Sequence, residues 1–273
     1  YVPAAAEAIA GIYADRRQYV KAAAEWKAII AKFGDAEHRK NQLNQIVSNW
    51  GSFENAQLQP AGEGATVDFR YRNGKKVTFT AHAIKVATLL DDVKAYLKSS
   101  PNQLDWQQFN IQDLGHRLVV QNQSKYLGEK TAEWSLDLDP KPEHIDRRIT
   151  ISTPLQKAGA YLLVGQMADG NTSRIVLWVA DTALVKKQLN GESWYYVADA
   201  VTGRPIEKAN VEFFGWKQEQ VKPNTNSYRI VTKSFAEFSD ADGQLKFNDA
   251  RQSHEYQWLS IARTDSGRLA YLG

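Results

Sequence analysis

Ala160-Tyr161-Leu162-Leu163-Val164-Gly165-Gln166-Met167, then Ala168-Asp169-Gly170-Asn171, then Thr172-Ser173-Arg174-Ile175-Val176-Leu177-Trp178-Val179: this stretch decides the fold class. Two runs of aliphatic, β-branched and aromatic residues flank four residues that favour a reversal of the chain. Such a pattern reads as a β-hairpin. Upstream of it, Ala65-Thr66-Val67-Asp68-Phe69-Arg70-Tyr71 and Lys76-Val77-Thr78-Phe79-Thr80-Ala81 alternate apolar and polar residues, as half-buried strands do. Between them stands Asn73-Gly74, a dipeptide suited to a type I′ turn with φ > 0 at both central residues, and it predicts a second hairpin. Residues 132–138 and 148–152 are further short strands, and Asp139-Pro140-Lys141-Pro142 separates them.

One helical pattern interrupts the strands. Val86, Leu89, Leu90, Val93 and Leu97 form a stripe at helical spacing that Ser99-Ser100-Pro101 ends. Residues 104–120, with Trp106, Phe109, Ile111 and Leu114, read as helix or loop. Residues 51–63 lack periodicity and read as a linker. The expectation is a β-sandwich with a helical insertion over 58–186.

Downstream the pattern restarts near Gln188. Strands are expected at 193–198, 209–214, 228–232, 244–247 and 256–262, with turns at Asp199-Ala200-Val201-Thr202-Gly203-Arg204-Pro205 and Asp240-Ala241-Asp242-Gly243. This predicts a second antiparallel sandwich over 187–273. Pro205 suits a strand edge, where its missing N–H breaks no ladder bond.

The first 57 residues read as helical. Ile9, Ile12 and Tyr13 form one stripe; Tyr19, Ala22, Ala23, Trp26, Ile29, Ile30 and Phe33 form another, ending at Gly34. A third helix spans about 36–49, with Leu43, Ile46, Val47 and Trp50. Counted from Pro3, the residues Ala10, Tyr13, Ala22, Trp26 and Ile29 resemble the packing positions of a tetratricopeptide repeat. One repeat cannot bury its own faces, so that resemblance implies further repeats before Tyr1; a plain helical hairpin packed on the β domain is the other reading. The fold class expected is therefore mainly β with an α-helical N-terminus.

Composition narrows the function. The 273 residues carry 34 basic and 31 acidic side chains, a net charge of +3 and 43% hydrophobic residues. A near-balance of this kind predicts no nucleic-acid partner, and the pairs Lys75-Lys76, Arg147-Arg148 and Lys186-Lys187 read as solvated strand ends. With no cysteine, there is no disulfide, thiolate metal site or Cys nucleophile. No run approaches the roughly 20 apolar residues a membrane helix needs. Tyr1 enters a helical pattern directly, and we read the chain as a segment of a longer protein whose export signal is removed or lies upstream.

From about Leu155 onward the chain resembles the bacterial alpha-2-macroglobulin family. Ala158-Gly159-Ala160-Tyr161-Leu162-Leu163 resembles the close of one macroglobulin-type domain, and Trp178-Val179-Ala180-Asp181-Thr182 the connector into the next. Asp199 through Val211 is similar to the pattern Asp-x-x-Thr-Gly-(Lys/Arg)-Pro-x-x-x-Ala-x-Val. Asp240 through Leu245 is similar to the family's Thr-Asp-x-x-Gly hairpin, with Ser239 in place of Thr. The resemblance is looser over 58–154 and absent from the helices. It implies a large secreted or membrane-anchored protease trap, extracytoplasmic, whose partners are proteases and other domains of the same protein. The family's bait segment and its Cys-Gly-x-x-Gln thioester would lie outside this chain.

No residue of the sequence stands out as catalytic, cofactor-binding or metal-ligating. His38, His82, His116, His144 and His254 lack the two-to-five-residue spacing of zinc ligands. Asp240, Asp242 and Gly243 echo the start of a calcium loop, but Arg251 stands where the closing Glu would be, so a turn is the better account. Asp137, Asp139 and Asp146 read as an exposed face. Among the aromatics, Trp26, Trp106, Trp134, Trp178 and Trp194 sit in apolar patterns that suit packing, whereas Trp216 and Trp258 are candidates for exposure. Two alternatives to a scaffold role stand open: an adhesion or carbohydrate-binding surface protein, and an enzyme whose site is assembled from scattered residues.

Overall fold

A computed structural model describes residues 2–54, 58–110, 124–221, 228–248 and 250–273. It opens with α1 (Val2–Asp15), α2 (Tyr19–Phe33) and α3 (Glu37–Val47). Ala10, Ala22, Ala23, Trp26, Ile29 and Ile46 form their common core. Ala10 and Ala22 are fully buried, so the backbones approach closely and Trp26 fills the remaining space.

The first sandwich follows, built from β1 (Trp50–Phe53), β2 (Gln59–Pro60), β3 (Thr66–Arg72), β4 (Lys76–Ile84), β5 (Leu127–Asp137), β6 (Arg147–Ser152), β7 (Gly159–Met167) and β8 (Thr172–Ala180). Its sheets run β1-β3-β6 and β2-β8-β7-β4-β5. Val67, Phe69 and Tyr71 from one sheet meet Val77, Phe79, Leu163, Met167 and Leu177 from the other. The rings of Phe69 and Phe79 stand edge to face, 5.5 Å apart. The β7–β8 hairpin has the expected pairing, from Gly159↔Val179 to Gln166↔Thr172.

Two expectations for this region need correction. Residues 51–63, read as a linker, contain β1 and β2; β1 pairs with β3, and β2 runs parallel to β8. Four and two residues are too short to display a period, and the signal at Gly51 is steric: a Cβ there would lie 2.3 Å from the Phe69 ring. Nor is Asn73-Gly74 a hairpin turn. Strand β3 pairs with β1 and β6, and β4 with β5 and β7, so the dipeptide carries the chain from one sheet to the other. Only Asn73 has positive φ, 63°. Its amide donates to the carbonyls of Ile46 and Ser48 (2.8 and 2.9 Å), which closes the end of α3. Gly74 makes room for Met167, whose methyl would sit 2.1 Å from a Cβ.

The second sandwich contains β9 (Thr182–Leu189), β10 (Glu192–Asp199), β11 (Asn210–Gln220), β12 (Tyr228–Phe238), β13 (Gln244–Asn248), β14 (Gln257–Arg263) and β15 (Leu269–Leu272), in sheets β13-β10-β9 and β12-β11-β14-β15. Tyr195, Val197, Val211, Phe213, Leu245 and Phe247 form its core. Two strands go beyond the expectation: β9 crosses position 186, and its exposed run from Val185 to Leu189 carries no period of two, and β15 adds a short edge strand. Pro205 bridges Ala198 outside the regular ladders, as an edge proline should.

The helical insertion is α4 (Val86–Lys98), followed by the single turn α5 (Trp106–Phe109). The ambiguous stretch 104–120 is therefore a short helix at 106–109, while 111–123, with His116, lies outside the described residues.

Candidate interaction surface

Helix α4 lies between the two sandwiches. Its Val86, Leu89, Leu90, Val93 and Leu97 share one core with Ile84, Ala160 and Leu162 of the first sandwich and with Phe214, Trp216, Ile230, Leu259 and Ile261 of the second. Strand alternation makes this possible. On β7, Tyr161, Leu163 and Met167 face the first core while Ala160 and Leu162 face α4; on β11, Val211 and Phe213 face the second core while Phe214 and Trp216 face α4. A strand covered on both faces reads as an unbroken apolar run, which explains the sequence of β7. Each large side chain buried in this seam contributes about 1.5–3 kcal/mol.

A polar clamp borders the seam. Lys94 Nζ donates to both carboxylate oxygens of Glu212 on β11 (2.9 and 2.8 Å) and pairs with Asp91 at 3.0 Å. Arg263 of β14 approaches the same Glu212 at 3.4 Å. Ser100 Oγ donates to Ile230 O and accepts from Ile230 N, so the end of α4 is tied to β12.

At one end the seam widens into a cavity of about 630 Å3, lined in part by Leu58, Val86, Trp178, Leu184, Leu269 and Tyr271. The Trp178 and Tyr271 rings lie 5.6 Å apart. Burial pushes the Tyr271 hydroxyl up to about 12. Arg268 Nη1 donates to Asp199 Oδ2 (2.7 Å) and to the Asp181 carbonyl (3.1 Å). Asp199 Oδ1 in turn accepts from the backbone N–H groups of Val201 and Thr202 and from the Thr202 hydroxyl. Arg268 and then Thr202 hold the Asp199 carboxyl well below the usual carboxylate range. A carboxylate saturated in this way organises a turn; it is poorly placed to accept a substrate proton.

The residues singled out in the sequence occupy distinct places. The Asp199 to Pro205 motif is a side-chain-closed turn, with Gly203 at φ 72° and its carbonyl accepting from Tyr196. Asp240 Oδ1 accepts from the N–H groups of Asp242 and Gln244, so the segment that echoes a calcium loop joins β12 to β13 as a turn. Ser239 is buried; its hydroxyl donates to Ile206 O and accepts from Ala209 N. The described histidines are dispersed; His82 and His144 are half-buried, and His144 Nδ1 lies 2.8 Å from Asn73 Oδ1. Among the described residues no group of three His, Asp or Glu could hold a metal ion. Asp139 and Asp146 pair with Arg147 and Arg72.

Two aromatic expectations are reversed. Trp106 is 60% exposed on α5, while Trp216 is 9% exposed in the seam. The period-two signal places Trp216 on a face of β11, and only the second sandwich's position against α4 makes that face interior. Trp258 is partly buried, and its Nε1 donates to Ser253 O.

No protein-family model matches the chain, and no curated protein does. Solved structures do. The fold is that of bacterial alpha-2-macroglobulin fragments. A structure of the native Escherichia coli protein spanning domains MG0-NIE-MG1 matches 83% of this chain with a TM-score of 0.52 at 15% identity. A second, spanning NIE-MG1, matches 83% with a TM-score of 0.50 at 17% identity. The match takes in 64% of the longer structure and 97% of the shorter. At such identities the likeness is one of fold. Among the described residues no helix is long and apolar enough to cross a membrane, which says nothing of a β-barrel.

Proposed function

We propose that this chain is a non-catalytic scaffold segment of an alpha-2-macroglobulin-like protein that traps and inhibits proteases. The observation that supports the reading is the seam: α4 is buried against both sandwiches, and the shared apolar core resists separation of the two modules. A trap needs such a frame, because cleavage of a segment elsewhere does mechanical work only against parts that do not yield.

In this reading the chain has three units, 1–57, 58–186 and 187–273. The helices form a tetratricopeptide-like end that meets other proteins or other domains of the same protein. The protein works outside the cytoplasm, and proteases are its partners through regions beyond this chain.

The test uses the whole protein and a protease of broad specificity. The expected result is a complex that co-elutes on size exclusion, in which the protease still cleaves a small chromogenic peptide but not a large protein substrate. The reading fails if the protease elutes free, or if the purified chain hydrolyses protein by itself.

A further inference from the structure

The end of α3 and the turn of the β7–β8 hairpin enclose a cleft of about 490 Å3, within the range of small-molecule sites. One wall is formed by Asn41, Asn44, Gln45 and Ser48, at positions i, i+3, i+4 and i+7 along one face of the helix and its end. Solvated helix faces ordinarily carry Lys and Glu, and Asn is a poor helix former because its side chain competes for backbone partners. The part of that face lining the cleft holds only amides and a hydroxyl. None of the four side chains makes a hydrogen bond among the described residues.

The opposite wall is fixed. Asn171 accepts from Gly51 N (2.8 Å) and donates to Gly51 O (2.9 Å), and Asn49 donates to Ala168 O at 2.8 Å. Gly170 pairs with Asn49 so closely that a Cβ would lie 2.4 Å from the Asn49 carbonyl oxygen. Trp50 lies in the cleft lining, held by Arg70 and Arg72 at 5.4 and 5.5 Å from its ring. One wall therefore offers unused donors and acceptors, and the other is rigid, an arrangement that lowers the ordering cost of binding.

The lining selects a ligand class. No Lys, Arg or His is among the lining residues, and the Arg70 and Arg72 guanidinium groups beside Trp50 are already paired with Glu54 and Asp146, which disfavours an anion; Asp169 is the single carboxylate of the lining, too few for a cation. Trp50 is the one large apolar group, which excludes a lipid or an apolar side chain. Each carboxamide offers two donors and one acceptor oxygen, which suits hydroxyls that must donate and accept at once. An indole supplies the flat apolar surface that the C–H face of a sugar ring needs. We propose that this cleft binds a neutral oligosaccharide, with Asn41, Asn44 and Gln45 addressing hydroxyls and Trp50 packing against a ring. The proposal is independent of the protease-trapping reading.

The test titrates the full chain with maltohexaose, cellohexaose and chitohexaose, by calorimetry and by backbone amide NMR. The expected result is saturable binding of at least one, with Kd of about 1 mM or tighter, and shifts concentrated at residues 41–50 and 169–171. The double variant Asn44→Ala, Gln45→Ala, on an exposed face that leaves the fold intact by circular dichroism, weakens binding about tenfold or more. Gln42→Ala, outside the cleft, leaves it unchanged. The proposal is overturned if none of the three sugars saturates, if the double variant binds as the parent does, or if an extended Gly-Ser peptide binds more tightly than any sugar.

Discussion

Leu90→Ala tests whether α4 is shared by both sandwiches or belongs to the first alone. Leu90 is fully buried in the seam core. Alanine keeps the helix at no cost in propensity, so the perturbation is a cavity between modules. Leucine-to-alanine changes in cores cost about 2–5 kcal/mol. The seam is bounded by two rigid sheets that collapse poorly into a void, which favours the upper half of that range. For a chain of this size each kcal/mol lowers the midpoint by about 2–4 °C, so calorimetry should show a fall of about 7–20 °C. Location is the sharper readout. Amide exchange should quicken at Leu162 on β7 and at Leu259 and Ile261 on β14, while Phe69 and Phe247, in the two separate cores, keep more of their protection. Faster exchange confined to β4, β7 and β8, with β14 untouched, would refute the shared seam, as would a midpoint within a degree of the parent.

Other perturbations follow from single contacts. Lys94→Ala strips Glu212 of its main partner beside the seam and should cost about 1–2 kcal/mol in urea unfolding, with Arg263 compensating in part. Gly243→Ala forces a Cβ into φ 70° and to within 2.5 Å of Val197 O; a loss of more than about 1 kcal/mol is expected, read as a lower thermal midpoint. Asn73→Ala removes both bonds to the end of α3 and should raise trypsin cleavage in α3 before any in the sandwiches. His144 responds to acid: burial, then Arg72 and Lys27, lower its pKa below the ordinary 6.5. A depressed imidazole contributes stability that is present above 6.5 and lost as pH falls through 6.5 toward the folded value. NMR titration of His144 should give a midpoint below 6.5, and His144→Gln should flatten that part of the fall in thermal midpoint between about pH 7.5 and 5.5. A midpoint at or above 6.5 would contradict the burial.

What the sequence made legible was local. Three N-terminal helices, the amphipathic α4, the β7–β8 hairpin and the Asp199 and Asp240 turns follow from spacing and turn chemistry between near neighbours. The failures were non-local. Asn73-Gly74 does reverse the chain, but whether the flanking strands pair depends on β6 and β7, more than seventy residues away. Trp216 and Trp106 exchanged roles for the same reason: a period of two assigns a side chain to a face, and only the packing of modules decides whether that face meets water. The cleft beside α3 leaves a trace in the amides at 41, 44 and 45, whose helical spacing puts them on one face, but uncharged amides on a helix face look like solvent-facing positions until the β7–β8 turn is packed opposite them.

The β7–β8 hairpin serves more than one part of the molecule. Its turn grips the chain leaving α3, its inner face fills the first core, and its outer face supports α4 and, through it, the second sandwich. Tension applied at the helices would therefore be felt along the same ladder that positions the far module. The hairpin is thus a shared support, with the helical end at its turn and α4 on its outer face.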